Sequence, residues 1–253
     1  MFLFLNAMSD FSEIRNFKRV ILKLSGEALR EVGSQDNISP EIVERIAREI
    51  REAREMVNLE LGIVVGGGNF WRGASASARG MDRATADHVG MLATVMNALA
   101  LQAALEAEGV PCVVHSAIEM QNVAEPFIRR KASHQLSKGI VVIFAAGTGS
   151  PFFSTDTTVA LRANEMGADV IFKATQVDGV YTADPNKDPS ATRFESVTFQ
   201  RCIEDHLAVM DTTAFSLCQD NNLPIIVFDL GQLGNIQLAL SGKEIGTIVH
   251  GQA

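Results

Sequence analysis

Basic side chains are the scarcer charge in this sequence. It carries 22 Lys and Arg against 30 Asp and Glu, a formal net charge of −8, with an isoelectric point near 5.2. Binding a nucleic-acid backbone needs a basic face, so DNA and RNA are excluded as bulk partners; a single nucleotide needs only a few placed cations and is not. Cysteine is scarce as well. The three present, Cys112, Cys202 and Cys218, show neither pairing nor metal-ligand spacing. Each sits among apolar residues, which reads as buried reduced thiols in a cytoplasmic protein. No uninterrupted apolar run approaches the roughly 20 residues of a membrane span, so no membrane partner is expected. The opening stretch "MFLFLNAMSDFSEIRNF" has a short apolar start but no cationic region and no cleavage site, and so does not read as a signal peptide. Residues 1–16 read as a tail, with Met8 a second candidate start. Internal repeats and low-complexity linkers are absent.

What is present is an ordinary globular composition, 47% hydrophobic and 21% charged over 253 residues. Apolar runs at 19–25, 61–67, 111–116, 139–146, 169–174 and 224–230 read as strands. Helical patterns fall between and after them, at 40–57, 83–108, 125–137, 156–167, 199–208 and 212–222. The Val and Ile runs are continuous rather than alternating, as in strands covered on both faces. Strand–helix alternation predicts an α/β fold, a three-layer α/β/α sandwich on a mostly parallel sheet. Ligands of such sheets bind beyond the carboxyl ends of the strands. One long irregular stretch, 176–192, "QVDGVYTADPNKDPSAT", reads as a loop, either functional or disordered.

The turns after the strands carry the chemistry. "KLSGEAL" places Lys23 inside an apolar strand, where an ammonium needs an anionic partner, with Ser25 and Gly26 following where a phosphate can approach. A lysine snorkelling from an edge strand is the plain alternative. "GGGNFWRG" (66–73) offers glycine amides to an anion and Arg72 for a bidentate phosphate contact; a tight turn explains the glycines equally well. It is not a dinucleotide fingerprint, since Trp71 stands at the last glycine position, and no Walker A loop occurs. Asp87, near the start of a long Met-, Leu- and Ala-rich helix (core or subunit interface), is either a helix-dipole acid or an acceptor for sugar hydroxyls. "GTGSPFFSTD" supplies the hydroxyls and amides of Thr148, Gly149, Ser150, Ser154 and Thr155. Thr155 or Asp156 starts a helix whose N-terminus favours phosphate. Phe152 and Phe153 either flank a flat base or pack in the core.

In order along the chain, "KLSGEAL", "GGGNFWRG", "GMLATVMNALA", "GTGSPFFSTD", "KATQVDGVYTADP" and "VMDTTAF" closely resemble the bacterial uridylate (UMP) kinases of the amino-acid-kinase superfamily. The resemblance covers about residues 17–250 and implies one amino-acid-kinase-like domain over 17–253, its N-terminal part facing UMP and its C-terminal part ATP. It implies transfer of a phosphoryl group from ATP to UMP with Mg2+. Lys23 then resembles the lysine at the transferring group, with Leu24, Ser25 and Gly26 by the ATP phosphates. Gly67 would face UMP; Gly68 and Arg72 would face phosphates, mainly those of ATP. Asp87 would bind the UMP ribose, and Thr148–Thr155, Pro151 and both phenylalanines included, would wrap UMP. Thr175, Gln176, Tyr181 and Asp184 would hold the adenine and ribose of ATP. Asp156 and Asp211 resemble carboxylates that organise lysines and metal at the transfer site, although Asp211 also fits a helix N-cap before "TTAF"; no residue is assigned as a direct metal ligand.

The same resemblance implies a cytoplasmic homohexamer of pyrimidine biosynthesis under allosteric inhibition by UTP. Two departures stand out. Ser150 replaces the Asn of many relatives and keeps a hydrogen-bond donor. Segment 30–36 keeps only Gly33 of a glycine-rich stretch associated with GTP activation, so that control is not carried over. Two other readings compete: a kinase of the same fold with a carboxylate or carbamate acceptor, and a nucleotide-binding regulatory protein without turnover.

Overall fold

The run RVILKL at Arg19–Leu24 (β1) is flanked on both sides by parallel partners and buried on both faces. In the computed structural model, which describes residues 17–251 except Ala78, Asn186, Ala208 and Val209, it is the central strand of one sheet. The other described strands are Glu60–Val65 (β2), Cys112–Ser116 (β3), Glu125–Pro126 (β4), Val141–Ala145 (β5), Val170–Thr175 (β6), Ser196–Thr198 (β7), Ile225–Asp229 (β8) and Thr247–His250 (β9). Their order is β4-β3-β5-β2-β1-β6-β8-β9-β7, and every neighbouring pair is parallel except β8–β9. Lys23 therefore lies at the middle of the sheet, which removes the edge-strand alternative.

Helices cover both faces. Pro40–Met56 (α1), Arg83–Ala107 (α3) and Asn235–Leu240 (α8) pack on the face that carries Val20, Leu22 and Leu24. Arg129–Ser137 (α4), Thr155–Met166 (α5), Phe199–Glu204 (α6) and Thr212–Asp220 (α7) pack on the face of Ile21 and Val64. The short Gly73–Ser77 (α2) precedes α3. This is the expected three-layer arrangement. Helix ends carry familiar chemistry: Ser39 accepts from Ile42 N before a Pro at the first position of α1, and Gly167 closes α5 in the left-handed region.

Several expectations need correction. The helix predicted from 125 starts only at Arg129, because a residue before proline prefers extended backbone and Glu125–Pro126 pairs with β3. Strands β7 and β9 and helices α2 and α8 are too short to leave a periodic signal. Residues 1–16, and residue 208 at the end of a predicted helix, lie outside the described residues. Cys202 and Cys218 are buried, whereas Cys112 is only half-buried; burial pushes their thiols up, to about 11 for Cys112 and Cys202 and about 12 for Cys218. Helix α3 is, by length and composition, apolar enough to cross a membrane. It is nevertheless a core helix, with Met91, Val95, Ala98, Leu101 and Leu105 packed against the sheet.

Candidate active site

Side chains alternate along a strand, so Leu22 and Leu24 face one helical layer while Ile21 and Lys23 face the other. Lys23 and Lys173 are register partners on β1 and β6, which sets two lysines side by side beneath α5. Both are under 10% exposed. The first turn of α5 supplies their counter-charge: Asp156 Oδ1 lies 3.1 Å from Lys23 Nζ, and Oδ2 accepts from Lys173 Nζ at 2.7 Å. The Lys23 contact is an ion pair at hydrogen-bonding distance. Burial opposes the charge of Asp156, but Lys23 and then Lys173 outweigh it and hold the carboxyl below its usual range. Burial pushes Lys173 down; Asp156 opposes that shift and the neighbouring Lys23 adds to it. Lys173 was not singled out in the sequence. Its signal, a lysine within the apolar run DVIFKA, is the one that exposed Lys23.

Above this floor a cleft of about 670 Å3 opens at the carboxyl ends of β1, β2 and β5. Ser25 and Gly26 line it after β1, and Gly66–Gly68 after β2. The two turns nearly touch. A Cβ on Gly26 would sit 2.5 Å from Gly66 O, and one on Gly67 would sit 2.7 Å from Gly90 O of α3. Two buried amides inside the quoted motifs, to which no role was assigned, lock the second turn. Asn97 Nδ2 donates to Gly66 O and to Asn69 Oδ1, both at 2.7 Å, while Asn69 Nδ2 donates to Asn97 Oδ1 at 2.9 Å and Asn37 O at 2.7 Å. Arg72 is exposed at the mouth of the cleft and pairs with Glu27.

The opposite wall is the stretch after β5. Phe152 and Phe153 are 69% and 52% exposed, so neither is a core residue. Phe152 holds φ 72, a strained value for a bulky residue. It is held there by Asp87, whose Oδ2 accepts from Phe152 N at 2.8 Å. Arg83 Nε donates to both oxygens of Asp87, at 3.0 and 2.9 Å, and its guanidinium lies over the Phe152 ring at 5.8 Å. Asp87 is not the helix-start acid of α3: the N-cap is Asp82, which accepts from Thr85 N. The cap of α5 is Ser154, one residue before the expected start. Its Oγ accepts from Asp156 N and Thr157 N, both at 3.0 Å, and donates to Asp211. Asp211 does cap α7 through Ala214 N at 2.9 Å, yet it also accepts from Thr157 Oγ1 and lines the cleft. Asp211 is thus the N-cap of α7 and a cleft residue at once.

Thr148, Ser150, Phe152, Phe153, Ser154, Thr155, Asp87, Gly67, Gly68 and Arg72 thus share the cleft. Lys23 and Asp156 lie beneath it. Leu24 is fully buried and offers only its carbonyl, which accepts from Gly66 N at 2.9 Å. Gly149 and Pro151 belong to the loop but do not line the cleft. Neither do Thr175, the last residue of β6, nor Gln176, Tyr181 and Asp184 after it; β6 is the strand beside β1. There Thr175 Oγ1 donates to Val177 O at 2.8 Å, Tyr181 OH donates to Asp178 at 2.7 Å and Asp184 pairs with Lys187 at 3.2 Å.

Two buried ammonium groups bridged by one carboxylate, under glycine turns and a hydroxyl-rich wall, can hold phosphoryl oxygens and stabilise charge that develops on them. The family model described as the amino acid kinase family matches residues 18–229. Among solved structures, the chain is similar to UMP kinase from Bacillus anthracis, with 38% identity and TM-score 0.89 over 94% of this chain and 98% of that one. It is similar to UMP kinase from Ureaplasma parvum at 36% identity and TM-score 0.87, over 93% and 100% of the two chains. Uridylate kinase from Archaeoglobus fulgidus matches at 30% identity and TM-score 0.67, over 91% of this chain and 99% of that one. With near full-length agreement in sequence and fold, the chain belongs to the amino acid kinase family, on the branch that holds these UMP kinases.

Proposed function

We propose that this chain is a UMP kinase, which moves the γ-phosphoryl group of ATP onto the phosphate of UMP and releases ADP and UDP. The observation that carries the reading is Asp156 bridging Lys23 and Lys173 below a cleft walled by Asp87 and the Thr148–Thr155 loop. In it, Gly67, Asp87 and Thr148–Thr155 bind UMP: uracil is the flat group beside Phe152 and Phe153, and its phosphate is the anion at the α5 N-terminus. Lys23, Leu24, Ser25, Gly26, Gly68 and Arg72 bind the ATP phosphates. Thr175, Gln176, Tyr181 and Asp184 hold adenine and ribose, consistent with β6 neighbouring β1 but lying outside the cleft.

A phosphate oxygen of UMP attacks the γ-phosphorus in line as the bond to the ADP oxygen breaks. The nucleophile is already ionised near neutral pH, so no general base is required. Lys23 and the glycine amides stabilise charge on the equatorial oxygens, and Asp156 and Lys173 fix where the Lys23 ammonium sits. Mg2+ would neutralise phosphate charge when bound. Among the described residues no three His, Cys, Asp or Glu side chains converge into a metal cage. Asp156 and Asp211 would organise the lysines and the metal-bound phosphates near the transfer site. On the family resemblance alone the reading extends to a cytoplasmic homohexamer of pyrimidine synthesis, inhibited by UTP.

The test is ADP release with UMP, CMP, AMP and GMP as acceptors under saturating ATP, with Lys23→Ala alongside. UMP should be strongly preferred, and Lys23→Ala should lose about 10²–10³ in turnover. Comparable rates with all four acceptors, or binding of UMP without any ADP release, would overturn the proposal; the second result would leave a nucleotide sensor.

A further inference from the structure

The wall that faces UMP springs from a turn held by two side chains to which no role was assigned, Thr94 within GMLATVMNALA and Arg162 outside the motifs. Directly after β5 the backbone enters the left-handed region twice, at Ala146 (φ 61) and Gly147 (φ 59). Alanine disfavours that region and stays there only where its surroundings over-determine it. Support comes from both helical layers. From α3, Thr94 Oγ1 accepts from Ala146 N at 2.8 Å and donates to Met91 O at 2.7 Å. From α5, Arg162 donates to Gly147 O at 3.2 Å.

Arg162 is only 4% exposed. Its other nitrogen donates to Glu165 at 2.7 Å, and its Cζ lies 3.8 Å from the ring centroid of Phe127. Phe127 in turn packs edge-on against Phe144 of β5. The guanidinium is therefore fixed by an ion pair and a cation–π contact, leaving a directed donor for one carbonyl of the loop. The helix that carries Arg162 also carries Asp156 in its first turn, so α5 places both the floor carboxylate and the anchor of the wall.

We propose that Arg162, acting with Thr94, is a positioning residue for acceptor binding. Arg162 does not line the cleft, although Thr94 does, and it sets the geometry of Thr148–Phe153 by holding the strained Ala146–Gly147 turn. This rests on the UMP kinase reading given above. A purely structural Arg162 would stabilise α5 against Phe127 without favouring one substrate over the other.

Arg162→Met keeps length and apolar contact with Phe127, and Thr94→Val keeps shape. For each, steady-state kinetics with UMP and ATP varied in turn would be combined with hydrogen exchange of the 146–153 amides and a thermal melt. Both variants should raise the KM for UMP about five- to thirtyfold, the size expected for one or two lost loop contacts, and leave the KM for ATP within about twofold. Exchange should quicken within 146–153 and remain unchanged in the flanking β5 and α5. Arg162→Lys should restore part of the UMP affinity. Unchanged exchange in the loop, equal rises in both KM values, or a lowered Tm alone would overturn the assignment. If Arg162→Met fails to fold, Thr94→Val decides by the same readouts. If the wild-type chain proves not to use UMP, the functional reading fails, while loop exchange still decides whether Arg162 and Thr94 hold the turn.

Discussion

A single carboxylate, Asp156, sits between two buried ammonium groups, so its loss is expected to lower both stability and turnover. Removing one partner of a buried ion pair typically costs about 3–5 kcal/mol, because the remaining charge has no counter-ion. Asp156→Asn removes the charge that both ammonium groups share, leaving Lys173 the influence of Asp211, and should lower stability by up to that order, measured by urea unfolding, along with most turnover. The pH dependence has a definite sign. The folded-state pKa of Asp156 is depressed, so its contribution is present above the ordinary carboxylate pKa and is lost as pH falls through the folded value. Lys173 is also lowered, so the unfolded chain holds that proton more tightly; its cost is present where Lys173 is charged and fades as pH rises from its folded toward its unfolded value. Both terms make stability rise with pH. Acid unfolding of Asp156→Asn should accordingly be shallower than that of the wild type, and an identical acid limb would rule the linkage out. Asp87 offers a second contrast at this scale. Since Asp82 already caps α3, Asp87→Asn should spare the helix and weaken UMP binding, about ten- to hundredfold for a lost charged hydrogen bond. It should also narrow the preference for UMP over deoxy-UMP. Unchanged UMP affinity with a lowered Tm would confine Asp87 to holding Arg83 and Phe152.

At the scale of elements, turns rather than strands decide the site, and neighbouring glycines are not equivalent. A Cβ at Gly67 meets backbone, Gly90 O at 2.7 Å, whereas one at Gly68 meets only the Glu27 side chain at 3.3 Å, which can move. Gly67→Ala should therefore cost about 1–3 kcal/mol of stability by overpacking α3 against the turn. Gly68→Ala should melt close to the wild type; equal melting of both variants would mean that the turn yields instead of resisting. Elements also show where sequence reading ends. The long strands and helices were legible because a continuous Val and Ile run or a helical period persists over many residues. Strand β4 was misread as helix because the pattern of 129–137 was extended backward through Pro126. Strand β9, four residues paired antiparallel to β8, has no period to read. Ser154 was visible as a hydroxyl, but only the fold shows it capping α5 while bonded to Asp211.

For the whole molecule, a ligand that binds only the folded state stabilises it by mass action, by about 2.7 kcal/mol at a hundred times its Kd. In a chain of this size that amounts to a rise in Tm of about 5–10 °C. UMP at that excess should produce such a shift and GMP should not; equal shifts from both would contradict the acceptor assignment. The scale also explains why an acidic chain can bind anionic nucleotides: its net charge of −8 is a sum over the whole chain, while Lys23 and Lys173 are buried side by side in one place.

By itself the sequence determined the three-layer α/β class, because continuous apolar runs alternating with helices admit few other packings. It also determined the candidate turns, because glycines, hydroxyls and a lysine in an apolar strand are chemical anomalies visible without coordinates. Only the tertiary structure decided how they combine. Lys23 and Lys173 are 150 residues apart in sequence and become neighbours through the β1–β6 register. Asp156 reaches both because α5 crosses the sheet on the face to which their side chains alternate. Thr94, Asn69 and Asn97 lie within quoted motifs and Arg162 in none, but what each holds was not legible, since an arginine, threonine or amide looks the same in sequence whether it faces solvent or holds a carbonyl. Such bonds exist only once separate layers are brought within about 3 Å, and that distance is set by packing of the whole chain.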